Sequence, residues 1–572
     1  MITYICRNLD EKTGETLPCT NTVCSTSTCP TCGGRTEVQS QIFWCNHCEV
    51  PIYEKVCPIC GKAGKKLTTD LRPVFPKERL LLELILDKPL AFLKQSVWNG
   101  SGNRYYADGK RIEFSVKSLK DVDVEKIRSQ YQKYEKENTD VYFQKQIEKF
   151  IEANRGRYEE IVEEANEYIR ESVKDYSVME MFVSFSGGKD STVVSDLVMR
   201  ALGNPKILHI FGDTTLEFPF TYDYVKRFKQ EHPQTPIITS RNKEKDFEEL
   251  CQLVGPPSRV MRWCCTVFKT GSIQKTIKSL FRSKTRILTF YGIRRSESAS
   301  RNKYDRDSDS PKITKQRILS PIIDWMDFDI WLYLLTTGID FNDAYRLGYA
   351  RVGCWCCPNN SGWSEFLSKV HMPEQSRHFR EMLLDFARQI GKKDAEVYVD
   401  EGYWKARQGG NGIQYAQKSV ISFEPCATQE NTYNYELTRP ITEEMYQLFR
   451  PFGYLNFELG NERLGEVFVL DRKGNTILKL QGRIGSRTLK VALLDKKVTE
   501  DKIKCQITKY QMCIGCMACE SVCRQDAISL KEREDGSISY QISEEKCVRC
   551  GECIAHFSAG CYMRKVLTIK RN

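Results

Sequence analysis

Residues 179–192 read MEMFVSFSGGKDST, and the fold follows from how that stretch divides. Met181, Phe182 and Val183 form an apolar run short enough for a buried strand. Val193, Val194, Leu197, Val198, Ala201 and Leu202 then recur at helical spacing directly after the loop. Between strand and helix, Gly187 and Gly188 let a ligand approach the backbone. The first amides of the helix face outward beside Lys189, which suits a phosphate or sulfate group. Ser186, Gly187, Gly188, Lys189, Asp190 and Ser191 are therefore the candidate anion-binding loop.

Two further elements share this logic. Residues 207–219 read ILHIFGDTTLEFP, a second apolar strand that ends in Asp213. A third strand, Ile287 to Tyr291, runs into GIRRSESASR at 292–301. Arginine forks suit bidentate oxyanion contacts better than lysine does. The loop is not the Walker GxxxxGKS form. SGGKDS resembles the signature of the adenine nucleotide alpha hydrolase superfamily, also called the ATP pyrophosphatases. The resemblance implies a doubly wound, mostly parallel α/β sheet. It also implies Lys189, Arg294 and Arg295 as catalytic cations, with Asp213, Glu297 and Arg301 as further nucleotide-binding residues.

Cysteines narrow the resemblance. Cys264 and Cys265 are adjacent in RWCCTVFK, and GCWCCP later places Cys354 and Cys357 in a CxxC. Ahead of that CxxC lies PIIDWMDFDIW at 321–331. This combination is similar to the 4Fe-4S site of iron-sulfur sulfonucleotide reductases, implying Cys264, Cys265, Cys354 and Cys357 as ligands. Zinc or buried thiols are the alternative. Those reductases attack adenylyl sulfate with a cysteine on a C-terminal ECG-type tail, and this chain has no such motif. Cys356, Cys426 and Cys505 are the spare thiols of this half, and Cys356, inside the CxxC, is the candidate catalytic cysteine.

The chain has 25 cysteines, and two other groups are as distinctive. Residues 513–523 read CIGCMACESVC and residues 547–561 read CVRCGECIAHFSAGC. These two CxxCxxC runs resemble a bacterial two-cluster ferredoxin, in which the fourth ligand of each cluster comes from the other run. That implies Cys513, Cys516, Cys519 and Cys561 for one 4Fe-4S cluster and Cys523, Cys547, Cys550 and Cys553 for the other. Arg524 stands where proline usually follows the fourth cysteine. Near the N-terminus, Cys45 and Cys48 in WCNHC pair with Cys57 and Cys60 in CPICG. Four thiolates from two turns suit a closed tetrahedral structural zinc. Cys29 and Cys32 form another CxxC that Cys6, Cys19 and Cys24 could complete, so one or two zinc ions are expected.

At 572 residues the chain is too long for one core. The expected divisions are a zinc ribbon (1–64), a small β module (65–120), a helical connector (121–178), the catalytic domain (179–425), a small linker domain (426–504) and an α+β ferredoxin domain (505–572). The β module, with turn signals at Asn99-Gly100 and Asp108-Gly109, resembles PUA-type RNA-binding domains; a docking module is the plainer reading. Hydrophobic content of 41% and charged content of 28% suit a globular protein. No run of eighteen apolar residues occurs, so no membrane is expected, and thiolate ligation of metal points to a cytoplasmic setting. A net charge of +11 is compatible with nucleotides or nucleic acid without requiring either.

Together these expectations describe a sulfonucleotide reductase-like enzyme. It would reduce adenylyl sulfate or its 3′-phospho form to sulfite, with three 4Fe-4S clusters, an external electron donor, and magnesium as a candidate companion of the nucleotide. An ATP-dependent sulfurtransferase acting on tRNA or DNA is the rival enzyme class, and a non-catalytic iron-sulfur carrier or regulator is the third. Oligomeric state is left open.

Overall fold

A computed structural model describes residues 2–6, 15–24, 29–34, 36–243, 245–298, 301–310, 316–418, 422–534, 537–555 and 561–567. Its centre is a six-stranded sheet of β1 (Met181–Phe185), β2 (Leu208–Asp213), β3 (Ile237–Arg241), β4 (Ile287–Phe290), β5 (Asp307–Asp309) and β6 (Gln316–Leu319). The strand order is β3-β2-β1-β4-β6-β5, parallel throughout except for the edge strand β5. The chain winds one way from β1 through β2 to β3 and returns to the other side of β1 as β4. A crevice therefore opens at the carboxyl ends of β1 and β4, where open α/β sheets bind ligands.

Helix α1 (Lys189–Leu202) leaves β1 through the glycine loop. Val193, Val194, Leu197 and Val198 are fully buried on the sheet, and Gly203 closes the helix in the left-handed region at φ 58°. Helices α2 (Gly271–Leu280) and α3 (Asp327–Thr337) follow further along the chain. Phe328, Ile330, Trp331, Leu332 and Leu334 of α3 are all buried, so this helix lies inside the molecule rather than on it.

Around this centre, several sheets run past the boundaries expected above, because a strand belongs with the partner it hydrogen-bonds. The strand Lys65–Thr68 pairs with Ile42–Cys45, so the ribbon extends beyond residue 64. The small β module is a four-stranded antiparallel sheet of Leu71–Pro73, Val97–Gly100, Arg104–Ala107 and Lys110–Arg111, with a helix at Pro76–Ile85. Three helices, Val124–Tyr134, Val141–Ala153 and Arg155–Ser172, lead into β1. Beyond the catalytic domain, a six-stranded antiparallel sheet begins at Ser422. The helix α4 (Glu500–Met512) then crosses residue 505 without a break and carries the chain into the C-terminal cysteine-rich unit. Among the described residues, no helix is long and apolar enough to cross a membrane.

One continuous apolar core joins the last three parts. It contains Trp263 and Cys356 of the catalytic domain, Val469 and Val491 of the antiparallel sheet, and Cys505, Cys516, Cys519, Cys553 and Cys561 of the C-terminal unit.

Candidate nucleotide crevice and cysteine relay

Gly187 sits at φ 69°, and a Cβ there would lie 2.9 Å from Thr221 Cγ2, so the turn has room only for glycine. Gly292, just after β4, lies against the first turn of α1, where a Cβ would fall 2.7 Å from the Asp190 carbonyl carbon. The two loops are therefore packed backbone to backbone at the crevice. Ser186 and Ser191 share a hydroxyl hydrogen bond of 3.1 Å, and Ser191 donates to the Gly188 carbonyl at 2.8 Å.

Lys189 is 2% exposed, and its ammonium lies 3.1 Å from Asp190 and 3.3 Å from Asp327. Arg294, also buried, bonds Asp190 at 2.5 Å and Asp327 at 2.7 Å. Two cations and two carboxylates thus form a closed square at the head of α1. Burial pushes Asp190 and Asp327 up, but Arg294 and Lys189 outweigh it and hold both carboxylates below their ordinary range. Burial pulls Lys189 down while the same carboxylates more than restore it, so it stays charged. The Lys189 amide donates to the Tyr345 hydroxyl at 2.9 Å.

The other expected residues have separate stations. Arg295 pairs with Asp324 and donates to the Tyr304 carbonyl, bracing the loop rather than joining the square. Glu297 pairs with Arg301, and burial followed by the neighbouring cation Arg351 lowers the Arg301 guanidinium. Asp213 accepts from the Thr215 amide at 2.8 Å and the Tyr222 hydroxyl at 2.9 Å, which organises the turn after β2. Beside the crevice lies a cavity of about 600 Å³ lined by Ser184, Lys269, Tyr291, Lys303 and Tyr304 among others.

Cys264 and Cys265 stand at the start of a π-helical turn, Cys265–Thr270, that runs straight into α2. The Cys354–Cys357 turn is stitched to the end of β2. Cys354 bridges Glu217, its sulfur lies 3.4 Å from the Thr214 hydroxyl, and the Trp355 amide donates to the Leu216 carbonyl. A hydrogen bond with Cys264 draws Cys265 down to about 6 against the upward push of burial, and Arg262 and Lys269 assist. Cys354 and Cys357 lie within electrostatic reach of Cys265. Cys356 differs from the expectation: it is only 5% exposed, packed in the core near Cys251, and burial pushes its thiol well up. A nucleophile needs access and thiolate character, and Cys356 has neither.

The C-terminal cysteines lie close to one another in one unit, and Cys553 feels Cys519 as well as Cys523 and Cys547. Cys516 feels Cys519, Cys561 and Cys513, whereas Cys547 feels Cys523 and Cys550. Cys523, Cys547, Cys550 and Cys553 line one cavity of about 230 Å³, a thiol-walled space suited to an iron-sulfur core. Residues 556–560, between Cys553 and Cys561, lie outside the described residues. Lys509 of α4 is buried between the groups. Its ammonium donates to the Cys553 carbonyl at 2.8 Å and lies among Cys519, Cys505, Cys553 and Cys561. Cys505, one of the spare thiols, is enclosed in the same core, and burial lifts it to about 12. Cys426 is half-buried, and a hydrogen bond with Thr428 draws it to about 7.

The two cysteine regions meet at α2. A Cβ on Gly271, one residue after the π turn, would lie 3.0 Å from Met517 Cβ and 3.6 Å from the Cys516 carbonyl. Lys278 of the same helix donates to the Glu520 carbonyl at 3.1 Å and the Cys523 carbonyl at 2.5 Å.

At the N-terminus, two quartets have all four sulfurs within 4.8 Å of one another: Cys45, Cys48, Cys57, Cys60, and Cys6, Cys19, Cys29, Cys32. The sulfur separations are 3.5 Å for Cys45–Cys60, 3.8 Å for Cys48–Cys57, and 3.7 Å for both Cys6–Cys19 and Cys6–Cys32. A tetrahedral zinc with Zn–S near 2.3 Å sets its sulfurs about 3.8 Å apart, so both quartets could bind zinc. Cys24, left open by spacing, is not in the second quartet.

Sequence reasoning missed Asp70, Asp327, Tyr345 and Arg351. The stretch containing Asp327 carried a signal, since residues 321–331 already stood out as a motif. Asp70 and Tyr345 had none, being brought to the loop from distant parts of the chain.

Residues 180–360 match the phosphoadenosine phosphosulfate reductase domain family, and residues 512–556 match the 4Fe-4S dicluster domain family. An uncharacterized protein of Methanocaldococcus jannaschii is 30% identical over 268 residues, covering 46% of this chain and 61% of its own. The adenosine 5′-phosphosulfate reductase of Anoxybacillus flavithermus is 25% identical over 189 residues, 32% of this chain and 74% of that enzyme. The solved phosphoadenylyl-sulfate reductase of Candida auris aligns with 34% of this chain and 89% of its own at 18% identity and a TM-score of 0.27. Of a second Methanocaldococcus jannaschii relative the chain spans 51%.

Proposed function

Because the chain carries a phosphoadenosine phosphosulfate reductase domain and a 4Fe-4S dicluster domain, we propose that it is a sulfonucleotide reductase-like enzyme with its electron supply fused on. The substrate is adenylyl sulfate or its 3′-phospho form. Its phosphate end is held by the glycine loop, Lys189 and Arg294. Cleavage of the S–O bond to the phosphate leaves both bonding electrons on the nucleotide oxygen, and two electrons delivered to the sulfur complete sulfite. Those electrons come from a reduced low-potential carrier protein or a chemical equivalent.

The observation that carries this reading is the continuous apolar core that packs cysteines of the C-terminal unit together with cysteines of the catalytic domain. That core holds Cys516, Cys519, Cys553 and Cys561 with Cys264, Cys354, Cys513, Cys523 and Cys547 packed against it, and in this reading electrons pass from the C-terminal groups to Cys264, Cys265, Cys354 and Cys357. The π turn and Gly271 bridge the two regions. When bound, iron-sulfur clusters at these groups supply one-electron storage. The chain's own residues neutralise the nucleotide, exclude water and set the distance. Buried Lys509 lowers the charge penalty of packing eight thiolates together, while Arg262 and Lys269 do the same near Cys265. The N-terminal quartets take structural zinc in this scheme.

Of the spare thiols, Cys356 and Cys505 are buried and lack the access a sulfo-cysteine intermediate requires. Cys426, half-buried and drawn to about 7, follows the strand Ser422–Pro425 of the antiparallel sheet rather than an element of the crevice. This favours electron delivery through the cysteine groups over the tail chemistry of thiol-dependent reductases. The intact loop favours a second reading, ATP-dependent sulfur transfer to a nucleic acid. One anaerobic experiment separates them. The purified protein, reduced by viologen, is offered radiolabelled adenylyl sulfate, its 3′-phosphate, and ATP. Sulfite from either sulfonucleotide supports reduction. Pyrophosphate released from ATP, with no sulfite, would replace it with the transferase.

A further inference from the structure

The square of charges around Lys189 is not finished by the catalytic domain. Asp70, between the ribbon strand Lys65–Thr68 and the β-module strand Leu71–Pro73, reaches the head of α3. One of its carboxylate oxygens accepts from the Asp327 amide at 3.0 Å, and the other accepts from the Phe328 amide at 3.0 Å and its neighbour Leu71 at 2.9 Å. The residue ahead of α3, Met326, offers no oxygen to cap the helix, so a carboxylate more than 250 positions earlier in the chain does so. Asp327 is the first residue of that helix and, like Asp190, holds both Lys189 and Arg294. The orientation of its side chain therefore follows from where Asp70 pins its backbone.

The same module supports the other group on Lys189. Arg72 and Glu78 form a buried ion pair at 2.6 Å, and Arg72 donates to the Gly348 carbonyl at 3.3 Å. Glu78 packs beneath Gly348, where a Cβ would lie 2.9 Å from its Cγ. Gly348 closes the turn that begins at Tyr345, the residue whose hydroxyl receives the Lys189 amide. The module thus touches both supports of the loop lysine, one at its ammonium and one at its amide. Asp70 itself is continuous with the ribbon. The Thr68 carbonyl accepts from the Gln41 side chain at 3.1 Å, and Lys65 pairs with Trp44, next to the thiol of Cys45.

We propose that Asp70 is a positioning residue for nucleotide binding, by which the N-terminal zinc-ribbon and β modules set the Lys189–Asp327–Arg294 arrangement. This rests on the nucleotide reading of the crevice. It gives the N-terminal quartets a role in the chemistry of a site to which they contribute no ligand.

The test measures the affinity of the full-length, metal-replete protein for adenylyl sulfate and for ATP by calorimetry, in wild type, D70N, D70A, D327N and the double variant D70N/D327N. D70A loses both hydrogen bonds to the helix and is expected to bind about tenfold more weakly or worse. D70N, which keeps one acceptor, is expected to recover part of that loss. A side chain acting through Asp327 gives a double variant no weaker than D327N alone, whereas a general loss of fold adds to it. If D70A does not hold its zinc, hydrogen exchange at residues 186–192 in D70N replaces it as the readout, and faster exchange there is expected. Unchanged affinity and exchange in the Asp70 variants, with K189A still weakening the wild-type affinity, would overturn the coupling alone. Wild-type protein that binds neither nucleotide would overturn the nucleotide reading and the coupling together.

Discussion

Cysteine is the same ligand at both ends of this chain, yet the two ends hold it in different geometries. In the ribbon quartets the sulfurs approach to 3.5–3.8 Å and lie on small, turn-rich sheets with little core of their own. In the C-terminal unit Cys516, Cys519, Cys553 and Cys561 are sunk in a large shared core around a buried lysine, and Cys523, Cys547, Cys550 and Cys553 line a cavity of about 230 Å³. The contrast teaches that sulfur separation and surrounding charge, rather than the CxxC spacing common to both, decide between one closed-shell ion and a multi-iron core. A tetrahedral ion fits between touching sulfurs. A cubane forces them apart and adds net negative charge that the protein must balance.

The sharpest way to break this comparison is to remove one ligand from each end. Cys45→Ser should abolish one equivalent of zinc and unfold the ribbon, since structural zinc supplies on the order of 10 kcal/mol or more to such modules. Iron content should not change. Cys516→Ser should do the converse, losing iron and visible absorbance while zinc remains at its wild-type level. Elemental analysis of both variants decides the matter, and iron in the ribbon or zinc in the C-terminal unit would erase the distinction. Lys189→Ala comes next in size. Losing charged hydrogen bonds worth about 1.5–3 kcal/mol each should weaken nucleotide binding roughly ten- to a hundredfold, measured by calorimetry, with both metals retained. The smallest effect sharpens the electrostatic half of the contrast. Lys509→Met removes a buried positive charge from among the thiolates, so the clusters should become harder to reduce. An EPR-monitored redox titration should show more negative midpoints, with the zinc quartets untouched.

What could be read from the chain alone was chemistry confined to short stretches. The glycine loop, the arginines after β4 and each cysteine run are local, and local residues announce themselves through spacing. Arg294 and Arg295 were indistinguishable at that level, and only the packing of Gly292 onto Asp190 turns one into the square and the other toward Asp324. Cys356 carried a reactive residue type in a suggestive place, but burial is a property of the whole core and does not show in a hexapeptide. Asp70 illustrates the same limit across distance. Its partner lies at residue 327, and no periodicity connects them. The ribbon and linker boundaries slipped for a related reason, because Lys65–Thr68 and Ser422–Pro425 join sheets whose other strands lie elsewhere in the chain.

Cys550 is the exposed member of its quartet, while Cys553 beside it is buried. Were an iron-sulfur core held there, dioxygen would reach it through Cys550 more readily than through its buried neighbour. On exposure to air, absorbance from that quartet should bleach before that of the group formed by the buried Cys516, Cys519 and Cys561 with Cys513.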